Sequence, residues 1–305
     1  MSARYREVVM KEVTVAGSGV LGAQIAFQSA FHGKSVIVYD IDKAALGALP
    51  KKWAQLGAAY RRDLGVDEAS VQEAASRLSG TDDLGAALAN AEILIEAVPE
   101  NLEIKRQFYE AAAKVAPAKT IFATNSSTLL PSAIASATGR PGRFAALHFG
   151  NRIWAHNTAE IMGHAETDPE VFDAIVAFAR EIGMVPLQLH KEQPGYILNS
   201  LLVPWLSAAM ELVVNDVATP EDVDKTWMIA HGVAHGPFAI FDIIGLRTPY
   251  QIALAKAHAG DREAARQAAW VKANFIDQNK LGVETGQGFY SYPNPAYASP
   301  DFLKA

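Results

Sequence analysis

The stretch AGSGVLG, residues 16–22, is the feature that most constrains the fold of this chain of 305 residues. It places Gly17, Gly19 and Gly22 in G-x-G-x-x-G register, directly after a short β-branched run and at the start of an apolar helical pattern. The first glycine permits a tight turn, the second lets the backbone approach a pyrophosphate, and the third lets helix and strand pack closely. This context predicts a strand, a phosphate-binding turn and a helix.

The residues around and after the glycines indicate which dinucleotide binds. Val20 and Leu21 begin the helix, whose free N–H groups and dipole attract phosphate. Asp40 ends the second predicted strand, 18 residues after Gly22. A carboxylate there binds the ribose hydroxyls of NAD and repels the 2′-phosphate of NADP, and no arginine directly follows Asp40. The sequence therefore predicts NAD as the cofactor.

Strand-like runs alternate with helical patterns through the first half of the chain, which is typical of βαβ units and a doubly wound parallel sheet. After about Lys191 only helical patterns follow. We therefore expect an α/β fold, with a Rossmann-type NAD-binding domain over residues 1–192 and a smaller all-α substrate and dimerisation domain over residues 193–305. The predicted strands cover residues 12–16, 35–39, 93–98, 120–124 and 143–149.

Composition excludes several classes of function. The net charge of −6 and the pI of about 5.8 argue against binding to nucleic acid or to an anionic membrane. The absence of cysteine excludes disulfides and thiolate sites and, with no apolar leader pattern at the N-terminus, favours the cytoplasm. The apolar stretch 195–214 is interrupted by polar residues and proline, so we expect a buried interface helix. No metal is expected, because His148, His156 and His164 lack compact ligand spacing.

Three polar motifs each follow a predicted strand: EAVPENLEIK (96–105), TNSSTL (124–129) and LHFGN (147–151). Since ligands bind beyond the carboxyl ends of the strands in an open α/β sheet, these motifs can line one cleft. Together with PGYILNSLLVP and ETGQGFYSYP, they resemble the L-3-hydroxyacyl-CoA dehydrogenase family, of which 3-hydroxybutyryl-CoA dehydrogenases are members. The resemblance runs from about residue 11 to residue 292.

The resemblance implies roles for individual residues. His148 matches the general base, and Glu160 matches the glutamate that pairs with it. Ser127 is expected near the nicotinamide and the substrate, and Asn199 matches an asparagine that contacts the substrate. Further NAD contacts are implied for Glu100, Lys105 and Asn151.

The implied activity is reversible oxidation of an L-3-hydroxyacyl-CoA to a 3-oxoacyl-CoA. Hydride passes to NAD and the proton passes to His148, because imidazole titrates near working pH. The expected substrate is therefore a small molecule, namely an acyl-CoA. The expected protein partner is a second copy of the chain, since the apolar helices suit a homodimer. Two alternatives stay open: a dehydrogenase of a free 3-hydroxy acid or other small alcohol without CoA, and a non-catalytic NAD-binding sensor or structural protein.

The chain departs from the family pattern at several positions. Gly150 and Arg152 replace an aromatic residue and a proline after the catalytic strand, and Glu284 replaces a lysine in the C-terminal motif. Arg152 can pair with a substrate carboxylate or with a surface acid. Lys51 and Arg62 lie about three helical turns apart, where they can meet CoA phosphates or form a solvated basic face.

Overall fold

The first part of the chain forms an eight-stranded sheet in a computed structural model that describes residues 9–304. The strand order is β3-β2-β1-β4-β5-β6-β7-β8, and all neighbours are parallel except β6 and β7, which are antiparallel. The strands are β1 Glu12–Ala16, β2 Ser35–Tyr39, β3 Leu78–Thr81, β4 Ile93–Glu96, β5 Ile121–Thr124, β6 Phe144–Phe149, β7 Thr158–Met162 and β8 Val185–Leu189. This arrangement confirms the predicted doubly wound α/β fold.

Helices connect these strands, and several begin where a short polar side chain caps the first turn. Asp67 accepts a hydrogen bond from the Ser70 amide at 2.8 Å, and Asn101 accepts from the Glu103 amide at 2.9 Å. Such caps satisfy backbone N–H groups that have no partner inside the helix. The helices are α1 Val20–Phe31, α2 Lys43–Gly47, α3 Leu49–Leu64, α4 Glu68–Ser76, α5 Leu84–Leu88, α6 Leu102–Val115, α7 Pro131–Ile134 and α8 Pro169–Glu181.

The remainder of the chain is helical, as the sequence predicts. It comprises α9 Tyr196–Val214, α10 Pro220–His231, α11 Pro237–Ile244, α12 Arg247–His258 and α13 Arg262–Asn274. The chain divides into two compact units between Ile197 and Leu198. Helix α9 is the one helix of the described chain that is long and apolar enough to span a membrane. Its most apolar 18 residues have a mean hydropathy of 1.7, and 22% of them are buried.

Two buried aspartates organise the core of the second unit. Asp224 accepts hydrogen bonds from the Phe238 amide at 2.8 Å and the Tyr290 hydroxyl at 2.8 Å. Asp242 accepts from the amides of Phe289 at 2.9 Å and Tyr290 at 2.8 Å. Burial raises the pKa of both carboxyls despite these bonds. The TGQGFY segment therefore wraps around Asp242, which gives this motif a structural purpose inside the unit.

Candidate active site

The three glycines of the turn after β1 differ in their surroundings. Gly17 has φ +103°, and a Cβ there would lie 2.4 Å from the Ala97 carbonyl oxygen. A Cβ on Gly22 would lie 2.0 Å from the Gly17 carbonyl oxygen. At Gly19, by contrast, a Cβ would meet nothing within 4 Å. Two glycines thus serve the packing of the turn, whereas Gly19 leaves open space in front of the N-terminus of α1, where a pyrophosphate fits.

Asp40 lies just beyond β2 and is tied to this turn. Its carboxylate accepts hydrogen bonds from the Ser18 amide at 2.7 Å, the Ser18 hydroxyl at 2.6 Å and the Asp42 amide at 3.0 Å. Partial burial opposes ionisation of Asp40. The bonds from Ser18 and Asp42 and the charge of Lys52 outweigh it, so the pKa of Asp40 lies below its usual value. A carboxylate has about four acceptor positions, which leaves room for a ribose hydroxyl.

A cavity of about 800 Å³ opens beside Asp40. The glycine turn and Asp40 form its polar side, and side chains from β4, α5 and α6 and their connections form an apolar side that suits a flat aromatic base. This cavity therefore combines the phosphate, ribose and base surfaces that a dinucleotide requires. The apolar lining includes Leu84, Val98, Ile104 and Phe108.

The antiparallel pair β6–β7 places His148 directly opposite Glu160 in the ladder. His148 Nδ1 lies 3.1 Å from Glu160 Oε2, and the Ile197 amide donates to Glu160 Oε1 at 2.8 Å. Both carboxylate oxygens accept, so Nδ1 carries the proton and Nε2 is left as an acceptor. Both side chains are buried, with His148 5% and Glu160 3% exposed.

Ser127 and Tyr196 complete the surroundings of the imidazole. The hydroxyl Oγ of Ser127 lies 3.1 Å from His148 Nε2. The ring of Tyr196 stacks on the imidazole with centroids 4.4 Å apart, and its hydroxyl donates to the Ser126 carbonyl at 2.7 Å. The ring is therefore fixed at both nitrogens and on one face, which sets the direction in which Nε2 points.

A buried acid–base network holds the segment that carries Ser127. Lys105 is 1% exposed, and its Nζ lies 2.5 Å from Glu96 Oε1 and 3.4 Å from Glu100 Oε2. Glu100 in turn accepts from the Ser126 hydroxyl at 2.5 Å and from the Thr128 amide at 2.9 Å. Burial by itself would raise the pKa of Glu100. The bonds from Ser126 and Thr128 and the charge of Lys105 lower it by more, so the pKa lies below its usual value. The Glu100 carboxylate thus clamps both neighbours of Ser127.

Comparison with known proteins identifies the family. The 3-hydroxyacyl-CoA dehydrogenase NAD binding domain matches residues 12–193, and the C-terminal domain of the same family matches residues 195–292. The chain belongs to the 3-hydroxyacyl-CoA dehydrogenase family. It is an NAD-dependent oxidoreductase of this type, and NAD is its cofactor.

Individual relatives cover nearly the whole chain. The mitochondrial hydroxyacyl-coenzyme A dehydrogenase of Homo sapiens is 31% identical, over 95% of this chain and 94% of the relative. A solved (S)-3-hydroxybutyryl-CoA dehydrogenase from Ralstonia eutropha is 26% identical with a TM-score of 0.81, covering 94% of this chain and 100% of that one. A solved diketoreductase, described in connection with substrate-directed dual catalysis of dicarbonyl compounds, is 51% identical. Its TM-score is 0.88, with 93% of this chain and 99% of that one covered.

The remaining residues predicted from the family resemblance lie in different surroundings. Lys105 forms an ion pair with buried Glu96, so its contact with NAD stays a prediction. The contact of the exposed Asn151 with NAD also stays a prediction. Asn199 lies in the first turns of α9 in the second unit. Glu284 lies in a short 3₁₀ turn of that unit.

The other histidines belong to loops and helix ends. His156 is exposed in the segment between β6 and β7. His164 Nε2 lies 3.1 Å from the Pro141 carbonyl oxygen, and His231 stacks on Trp227 in the last turn of α10. Within residues 9–304, no group of three or more potential ligands is arranged to hold a metal ion.

The residues that depart from the family pattern are partly explained by Asp63, which sequence reasoning did not single out. Arg62 donates to the Asp63 carboxylate at 2.7 Å, and Trp154 Nε1 donates at 2.9 Å. A guanidinium nitrogen of Arg152 lies 3.4 Å from the same carboxylate. Arg152 thus touches a surface acid, although this contact is the longest of the three. Lys51 is exposed on the same helix, α3.

Proposed function

We propose that this protein transfers hydride between NAD and C3 of a 3-hydroxy carbonyl compound, giving a 1,3-dicarbonyl product, with His148 as the acid/base. The observation that carries the proposal is the chain of contacts Ser127 Oγ–His148 Nε2 and His148 Nδ1–Glu160 Oε2, each 3.1 Å long. Cofactor binding alone does not require this arrangement, whereas proton transfer from a secondary alcohol does. A purely NAD-binding sensor is therefore the weaker interpretation.

In the oxidation direction, bound NAD supplies a hydride acceptor at nicotinamide C4. His148 Nε2 accepts the hydroxyl proton while the C3–H bond electrons leave as hydride, so the carbon–oxygen bond becomes a carbonyl. Glu160 stabilises the imidazolium that forms and holds the tautomer that leaves Nε2 free to accept. Ser127 donates to the reacting oxygen, and the contact of Asn199 with the substrate stays a prediction of the family resemblance.

The burial of the pair favours catalysis. His148 and Glu160 are almost fully removed from water, and Tyr196 covers one face of the imidazole. Charge–charge interactions are stronger where water is excluded, so the Glu160 carboxylate stabilises an imidazolium here more than it would at a surface. The proton is thereby directed along the Nε2 edge toward the substrate.

The substrate that we favour is a small 1,3-dicarbonyl compound, or the corresponding 3-hydroxy compound, without CoA. Identity to the diketoreductase is 51%, against 31% to the human hydroxyacyl-CoA dehydrogenase. Of the two cations of α3 that were candidates for CoA phosphates, Arg62 pairs with Asp63, and Lys51 is exposed. A 3-hydroxyacyl-CoA is the second candidate, because the curated relatives carry that name.

We also propose a homodimer. Only 22% of the most apolar 18 residues of helix α9 are buried, and Leu198 and Leu201 are 48% and 69% exposed. An apolar surface of this kind is stabilised when a second copy covers it. Light scattering of the purified chain is expected to give twice the monomer mass, and a monomer at micromolar concentration would contradict this proposal.

The activity is tested by following NADH oxidation with ethyl 3-oxohexanoate and with acetoacetyl-CoA. We expect turnover of the free dicarbonyl compound. Turnover confined to the CoA thioester would replace the favoured substrate by the second candidate. His148→Ala separates an enzyme from a sensor: turnover should fall by about 10²–10⁴-fold while NADH still binds. Equal turnover by this variant and the wild type would refute the assigned acid/base.

A further inference from the structure

A second cavity of about 420 Å³ lies in the first unit and shares Lys52 with the NAD cavity. We call it the arginine pocket. Helices α1 and α3 form its walls, and the segment after β6 closes it with Arg152 and Trp154. Its lining combines aliphatic side chains such as Leu56 and Ala59 with three cations, Lys52, Arg62 and Arg152. An aliphatic chain that ends in an anion matches this combination.

The charges of the arginine pocket do not cancel. None of the described residues that line it is acidic. The nearby Asp63 carboxylate accepts two hydrogen bonds from Arg62, at 2.7 and 3.1 Å, and one from Trp154 at 2.9 Å. The 3.4 Å contact of Arg152 with Asp63 is longer than the roughly 2.7–2.9 Å of a good charge-assisted bond. Arg152 can therefore exchange this contact for a better-placed anion at little cost.

The backbone holds Arg152 in position before any ligand arrives. Its φ is +59°, a left-handed conformation that is uncommon for a residue other than glycine. The Arg152 amide donates to Gln24 Oε1 at 2.8 Å, and Gln24 is 6% exposed. The side chain itself is 53% exposed and carries five N–H donors. Strained backbone that is fixed by a buried side chain is a recurrent feature of ligand sites.

The arginine pocket borders on the chain segments that carry the predicted base and the cofactor turn. Arg152 follows His148 by four residues, so their Cα atoms are at most about 14 Å apart. On the other side, Lys52 Nζ donates to the Ser18 carbonyl of the phosphate-binding turn at 2.7 Å. The pocket thus adjoins both the segment that follows the predicted base and the turn that binds the cofactor.

We propose that the arginine pocket binds a terminal carboxylate on the substrate and that Arg152 is its principal donor. This inference rests on the proposed function and narrows its substrate class to 3-hydroxy or 3-oxo carbonyl compounds whose chain ends in a carboxylate. Guanidinium suits this role because its planar fork bonds a carboxylate at two points.

Two substrates that differ only at the chain end provide the test: monoethyl 3-oxoadipate, which ends in a carboxylate, and ethyl 3-oxohexanoate, which ends in a methyl group. We expect the wild type to prefer the carboxylate. In Arg152→Gln, the ratio of the two kcat/KM values should fall about 10- to 100-fold, since a hydrogen bond to a charged group is lost. Arg152→Lys should retain part of the ratio. Arg61→Gln, which removes an exposed cation from α3 outside the pocket, should leave the ratio unchanged.

Other outcomes would overturn the proposal. An equal loss on both substrates would make Arg152 a structural residue, and an unchanged ratio would remove it from recognition. A loss confined to acetoacetyl-CoA would assign the pocket to a CoA phosphate. If the wild type reduces neither these esters nor acetoacetyl-CoA, the proposed function fails. Calorimetric titration of monoethyl 3-oxoadipate into the NAD⁺-loaded protein then decides the pocket separately, because binding that is equal in the wild type and Arg152→Gln would refute it.

Discussion

Replacement of Glu160 by glutamine tests the reasoning about the acid/base pair most directly, because it removes the charge and keeps the shape. Glu160 accepts at both oxygens, from His148 Nδ1 at 3.1 Å and from the Ile197 amide at 2.8 Å. Glutamine offers only one acceptor. If its oxygen faces the Ile197 amide, its NH₂ group faces Nδ1 and forces the proton onto Nε2, which can then no longer accept the substrate proton.

The opposite orientation of the amide also carries a cost. It keeps the bond to His148 but sets the NH₂ group against the Ile197 amide in a buried site, at about 1–3 kcal/mol. Either way the imidazolium loses its carboxylate. We expect kcat for alcohol oxidation to fall by about 10²–10⁴-fold, which corresponds to roughly 3–5 kcal/mol of transition-state stabilisation.

The assay is the initial rate of NAD⁺ reduction at saturating cofactor, with NADH affinity measured by fluorescence titration. NADH affinity should stay within a factor of about two, since Glu160 contacts Nδ1 of His148, on the far side of the imidazole from the Nε2 edge that faces the reactants. Glu166→Gln is the matched control, because Glu166 is an exposed glutamate six residues further along the chain. A Glu160→Gln variant that keeps more than about a third of wild-type kcat would refute the assigned pair.

The glycine turn gives a paired prediction: Gly22→Ala should lower the melting temperature, because its Cβ would lie 2.0 Å from a carbonyl oxygen, whereas Gly19→Ala should fold normally and weaken NADH binding by about tenfold or more. Normal stability of Gly22→Ala would contradict this distinction. Asp40→Asn should weaken NADH binding about tenfold, and by the same factor at pH 8 and pH 5.5. The reason is that the pKa of Asp40 is lowered in the folded protein. The carboxylate is therefore ionised at every pH above the unfolded pKa of about 3.9, and its contribution to binding is lost only as pH falls through the lowered pKa. A factor that shrinks toward pH 5.5 would show that Asp40 titrates there. Asp242→Ala should destabilise the second unit by about 2–6 kcal/mol, because two buried amides lose their acceptor; calorimetry would reveal this as a lower melting temperature, and an unchanged transition would disprove it.

The sequence predicts the elements with strong local patterns. Strands β1 and β2 occupy the predicted residues, because β-branched runs beside a glycine turn have few alternatives. Strands β3, β7 and β8 have no such pattern. β3 reads LSGT, and β8 contains Pro186, which is acceptable only because this strand lies at the edge of the sheet. Short or proline-containing strands are defined by the neighbour that they pair with, which a local pattern does not reveal.

The candidate site divides in the same way. His148 and Glu160 can be paired from the sequence only through the family resemblance, because their contact depends on the unpredicted strand β7. No sequence motif predicts the hydrogen-bonding roles of Asp63 and Asp242. The one available signal for Asp242 is an acid inside the apolar run PFAIFDIIGL, which requires buried partners. Its partners are supplied by a segment 47 residues further along, so only the folded chain identifies them.

The antiparallel pairing of β6 and β7 has a consequence for how this scaffold can be altered. Main-chain hydrogen bonds fix the separation of His148 and Glu160 across the ladder, so the connection over residues 150–157 does not set it. That connection carries Arg152 and Trp154 of the arginine pocket. The chemistry and the recognition of the chain end are thus built from separable parts. A chimera that exchanges only residues 150–157 for the corresponding loop of a relative should inherit a new substrate preference on an unaltered proton-transfer pair.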